Sequence, residues 1–116
     1  MYEKRFESPQ PSKRSIALHN ALLALGVENI LEKRLDLFGG PTYYLDIYVP
    51  SVRLGIEVDD VRHRDPDRIV KDRRRTRLLK EFADITVERI ENSGIDIHGA
   101  EKVALAIKTI VEKMVK

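Results

Sequence analysis

The chain has no cysteine and no tryptophan among its 116 residues. The first absence removes disulfides, thiolate zinc sites and a cysteine nucleophile together. Any metal ion here must be held by oxygen and imidazole ligands, which suits Mg²⁺ or Mn²⁺. No apolar run reaches the length a membrane span requires. The first residues, MYEKRFESPQPSKR, are charged and carry no apolar leader segment. Together these features predict a cytoplasmic protein with no membrane attachment. Internal repeats and low-complexity segments are also missing, so the chain does not read as a solenoid or a linker.

What is present is a regular apolar pattern, 42% of the chain, which predicts a folded globular protein rather than a disordered one. The length suits one hydrophobic core and not two. Residues 1–11, with Pro9 and Pro11, read as a flexible N-terminal arm, and 12–116 as a single domain. The net charge of +2 says little, but its distribution is uneven. Residues 62–80, RHRDPDRIVKDRRRTRLLK, hold nine basic side chains against three acids, and the remainder holds twelve against sixteen. A basic stripe on an otherwise mildly acidic chain points to a polyanionic partner, with nucleic acid the first candidate.

Ser12 is placed to cap a helix through KRSIALHNALLALG, with Ile16, Asn20 and Leu23 on one face and Gly26 as its stop. NILEKRLDLF alternates as a strand, Gly39-Gly40-Pro41 turns, and TYYLDIYV alternates again. In that second strand Leu45, Ile47 and Val49 are expected on one face, opposite Tyr44, Asp46 and Tyr48. Pro50-Ser51 leads into a third strand, RLGIEVDD, completing an antiparallel meander. The basic segment is expected to be a helix starting near Asp65 or Asp67 with Pro66 in its first turn, packing through Ile69, Leu78, Leu79 and Phe82. DITVERI is a fourth strand and ENSGID a loop. A last helix buries Val103, Ile107, Ile110, Val111 and Met114. The predicted class is α/β, a mixed four-stranded sheet flanked by helices in the order α-β-β-β-α-β-α.

The carboxylates stand out against this pattern. Glu57 and Asp59 share one face of the third strand, about 7 Å apart. Two acids that close repel each other, so a cation is expected between them. Asp46 can approach Glu57 across the ladder. Converging carboxylates beside a basic helix suit Mg²⁺ bound together with a substrate phosphate, where the ion polarises the phosphodiester and activates water.

The stretch LDIYVP…RLGIEVDDVRHRDPDRIVKDRRRTRLL, followed by ITVERI, resembles the PD-(D/E)xK restriction-endonuclease-like superfamily, and within it the very-short-patch-repair endonuclease branch. The likeness covers residues 42–92. It implies a restriction-endonuclease-like core and metal-dependent DNA endonuclease activity, with a role in DNA repair. It also implies Asp46, Glu57 and Asp59 as metal ligands, His63 near the attacking water, and Lys71, Arg73 or Arg75 at the position to which the fold's catalytic lysine can migrate. Arg62, Arg64, Arg68, Lys71, Arg73, Arg74, Arg75 and Arg77 would contact DNA. Three positions depart from the pattern: Leu45 precedes Asp46 in place of proline, Asp59 stands where the strict motif has lysine, and Asp60 replaces glycine. The first helix offers His19 and Asn20 where an acid is usual.

Each residue also has a plainer reading. Glu57 and Asp59 would then be salt-bridged to Arg53 or the basic helix, Tyr44 and Tyr48 would pack, and His19 and His98 would be structural or exposed. A nuclease fold that binds nucleic acid or a protein partner without cutting is the main alternative, and a domain docking on an acidic protein is a third. Cutting both strands requires a second nick or a second site, which makes a homodimer one expected arrangement.

Overall fold

The computed structural model describes residues 10–37, 39–59 and 65–115. Its sheet runs in the order β1 (Ile30–Asp36), β2 (Thr42–Val49), β3 (Leu54–Asp59), β4 (Thr86–Glu91). The first three strands form the expected antiparallel meander, and β4 lies parallel to β3. A parallel neighbour demands a crossover, supplied by helix α2 (Pro66–Ala83). Helix α1 (Lys13–Ala24) precedes the sheet, and α3 (Asn92–His98) and α4 (Ala100–Met114) follow it. The α/β class and the mixed four-stranded sheet therefore hold. The element order gains one helix, because ENSGID begins α3 and is not a loop. Burial of Ile95, 5% exposed, anchors that short segment, and Gly99 at φ +84° ends it.

Two apolar clusters hold the layers together. On one face, Ile47, Val49, Leu54 and Ile56 meet Leu18 and Leu22 of α1, Ile95 of α3, and Ala104, Ile107 and Val111 of α4. On the other, Leu79 of α2 packs with Leu45, Tyr48 and Ile85. The helix starts follow the sequence signals: the Ser12 hydroxyl accepts from Ser15 N–H at 3.1 Å, and Asp65 accepts from Arg68 N–H at 2.8 Å ahead of Pro66.

Helix phases differ from expectation. Ser15, Leu18 and Leu22 form the buried stripe of α1, leaving Ile16 and Leu23 substantially exposed. With apolar residues all round α1, periodicity alone cannot choose the phase. In α2 only Leu79 of the expected packing set is buried, and Phe82 is 71% exposed. The inward face takes Asp72 and Arg75 instead, because the sheet beneath presents Glu57 and Asp59. Ile110 of α4 also lies outward, at 38% exposure.

The alternation of β2 breaks at Asp46. Leu31 pairs with Ile47 and Lys33 with Leu45, but Glu32 and Asp46 between them are unpaired, and Glu32 sits at φ +49°. On the other side the β2–β3 register ends at Ile47 and Ile56. Leu45 consequently joins Tyr48 under α2, and of the three residues expected on one face only Ile47 and Val49 share it. Gly55 makes room for this crossing. A Cβ there would stand 2.9 Å from both Leu45 methyls.

Candidate active site

Asp46 and Glu57 meet where the β2–β3 ladder opens. Asp46 N–H donates to Glu57 Oε2 at 2.9 Å, and Val58 N–H donates to Asp46 Oδ2 at 2.8 Å. Each carboxylate thus replaces a ladder carbonyl as acceptor, which fixes both side chains to the backbone of the neighbouring strand. Asp46 Oδ1 makes no hydrogen bond among the described residues. Glu57 is 6% exposed, and its Oε1 pairs with Arg75 Nη1 of α2. Arg75 Nη2 also donates to the Tyr44 carbonyl at 2.6 Å, and its guanidinium lies 5.4 Å from the Tyr43 ring centre. In place of the one cation expected between Glu57 and Asp59, the described residues give each acid its own, Arg75 at Glu57 and Arg89 at Asp59.

Asp59 has a separate partner. Arg89 Nη1 of β4 binds it at 2.7 Å and approaches Asp72 of α2 at 3.7 Å, tying β3, β4 and α2 together. Arg89 Nη2 is buried with no hydrogen-bond partner among the described residues.

The electrostatics around Asp46 are strained toward negative charge. Burial pushes the Glu57 carboxyl above its ordinary range and the Asp46 charge adds to it, against the pull of Arg75. Asp46 is also raised, chiefly by burial, with the Val58 N–H opposing. Glu32 is raised to about 7, first by burial and then by the charges of Asp46 and Glu57. Sequence reasoning passed over Glu32. Its signal was the hairpin register: once Ile30 faces Tyr48, the residue across from Asp46 is Glu32.

Asp46 and Glu57 are therefore brought together, while Asp59 is ion-paired to Arg89 and acts on Asp46 through its charge. Lys71 is exposed on α2, as are Arg68, Arg73, Arg74 and Arg77, whereas Arg75 is turned inward. Arg62, His63 and Arg64, with Asp60, lie outside the described residues. His19 Nδ1 sits 2.6 Å from Asn29 Oδ1 in a tie between α1 and the approach to β1, a structural contact.

Among the described residues no three carboxylate or imidazole groups converge on a common point. A hard divalent cation needs fewer protein ligands when phosphate and water complete its shell. Asp46 Oδ1 and, were Arg75 displaced, Glu57 Oε1 would be the two oxygen ligands, a donor set of the kind Mg²⁺ or Mn²⁺ takes together with phosphate and water. No helix among the described residues is long and apolar enough to cross a membrane. No protein-family model, curated protein or solved structure matches the chain.

Proposed function

We propose that the chain is a metal-dependent DNA endonuclease built on a restriction-endonuclease-like core, hydrolysing phosphodiester bonds beside β2 and β3. The observation that carries this reading is the pairing of half-buried Asp46 with buried Glu57 at the opening of the ladder, next to a helix rich in exposed cations. The bound ion would supply charge neutralisation at the phosphate and an acidified water. Asp46 Oδ1, which has no hydrogen bond among the described residues, would be one ligand to that ion, and Glu57 Oε1 would be a second if Arg75 withdrew from it. Arg75 is then the cation nearest the carboxylates and takes the phosphate-holding role that the family pattern gives to lysine, with exposed Lys71 one turn earlier on α2. Asp59, held by Arg89, positions β3. His63 is assigned the proton transfer, its ordinary pKa lying near working pH.

A second reading is favoured by one specific feature: Glu57 and Asp59 are already neutralised by Arg75 and Arg89. On it, the same surface binds nucleic acid without cutting. Both readings meet one experiment, in which supercoiled plasmid, mismatched duplex, branched DNA and single strands are incubated with Mg²⁺, Mn²⁺ or chelator. The nuclease reading expects metal-dependent products that disappear in Asp46→Ala and Glu57→Ala while DNA affinity persists. Retained binding with no product from any substrate transfers the conclusion to the non-cleaving reading.

A further inference from the structure

Helix α2, 18 residues long, is the one helix on its face of the sheet among the described residues. It therefore stands out as a ridge about 10–12 Å across. Its cations divide between two flanks. Lys71 and Arg73 diverge by about 160° around the axis at 3.6 residues per turn. Arg73, Arg77 and Lys80 border a cleft of about 570 Å³ against Val87 and Arg89 of β4, with Asp72 and Glu81 also in its wall. Lys71 and Arg74 fall on the opposite flank, the one shared with Arg75 and its partners in β2 and β3. Arg73 and Arg77 form no ion pair among the described residues. The lining holds four cations, Arg73, Arg77, Lys80 and Arg89, against two acids, Asp72 and Glu81, and Asp72 is engaged by Arg89. The lining is therefore net positive. The cleft lies across α2 from the carboxylate pair.

We propose that α2 enters the major groove of duplex DNA, the β4-side cleft holding one backbone while the other backbone passes Lys71, Arg74 and the carboxylate pair. This inference rests on the nuclease reading for the second backbone's destination. The dimensions support it: the B-form major groove, about 12 Å wide, admits an α-helix, and cations on both flanks meet phosphates on both walls. A single strand would use one flank only. Double-stranded RNA has a deep, narrow major groove that excludes a helix.

The test is binding of the whole chain to a labelled DNA duplex, the corresponding single strand and an RNA duplex, by anisotropy over a salt series without divalent metal. The Arg73→Ala/Arg77→Ala double variant is expected to weaken duplex binding about tenfold or more and to reduce the salt slope by about 2. Lysines at both positions should restore the slope, and Lys113→Ala on α4 should change nothing. Methyl green, a major-groove occupant, should displace the protein, and the minor-groove ligand netropsin should not. Unchanged affinity and slope in the double variant, displacement by netropsin alone, preference for single strands or RNA, or no DNA binding at all would overturn the proposal. Plasmid cleavage with and without Asp46→Ala separates the two conclusions. Asp46-dependent cleavage with a silent double variant removes the groove placement alone, and groove binding without cleavage removes the nuclease alone.

Discussion

The two faces of the sheet are built from different materials. Toward α1, α3 and α4 the cluster is aliphatic, with Leu18, Leu22, Ile47, Leu54 and Ile56 fully buried and no ionised side chain among its members. Toward α2 a smaller apolar cluster lies beside ionised groups: Glu57 with Arg75, and Asp59 with Arg89 and Asp72. Aliphatic burial is non-directional and stabilises at about 25 cal/mol per Å². Buried ion pairs return little net stability after desolvation, and removal of one partner is strongly unfavourable. One face therefore holds the fold together, while the other maintains charge in a place where charge is unfavourable.

Substitutions on the two faces sharpen or break this contrast. Leu22→Ala, on the aliphatic face, should destabilise by about 3–5 kcal/mol in chemical unfolding, and Leu79→Ala by about 2–3 kcal/mol, since α2 has open flanks into which it can relax. Equal losses would mean that both faces carry the fold alike. Arg75→Met should destabilise by about 3 kcal/mol at pH 8 by leaving Glu57 buried and unpaired. Because Glu57 is already pushed upward, the variant folds with that carboxyl protonated in acid, so the loss should shrink toward pH 5. A loss independent of pH would show that Arg75 acts through packing.

Glu32 gives a subtler case. A glutamate carboxyl in the unfolded chain has an ordinary value of 4.5, and burial with the Asp46 and Glu57 charges pushes the folded one up to about 7. Between those values the folded state binds more protons, so this group's contribution to stability falls as pH rises through the window and stays low above it. Glu32→Gln should therefore raise the melting temperature at pH 8 and have little effect at pH 5. Mg²⁺ should likewise raise the wild-type melting temperature at pH 8, and Asp46→Ala should remove that rise. A uniform effect of Glu32→Gln across pH would detach Glu32 from the carboxylate pair. The smallest effect belongs to Phe82→Ala, within about 0.5 kcal/mol, because this large aromatic contributes almost nothing to either face.

Much of the framework was legible in the residues. Strand alternation, the Ser12 and Asp65 caps, the meander and the crossover helix follow from local chemistry, and local chemistry is what a sequence displays. The facing of Glu57 and Asp59 away from Ile56 follows from the same period of two. What escaped depends on contacts distant in the chain. The phase of α2 is decided by acids on β3, so Arg75 turns inward and Phe82 outward against the hydrophobic rule. Leu45 changes sides because Asp46 and Glu57 accept backbone hydrogen bonds that a regular ladder would have used. Glu32 gains its significance only from the register that places it across from Asp46.

Gly55 makes the site hostage to a residue with no functional group. Its missing methyl is the socket for Leu45, and Leu45 is the residue covalently joined to Asp46. An alanine at 55 would be compatible with a β-strand by every local preference, yet it would press on Leu45 and, through one peptide bond, on the carboxylate. A lineage carrying this chain could thus lose the carboxylate geometry while keeping charge, hydropathy and every polar side chain of the site intact. A comparison confined to the acids and bases would miss the change.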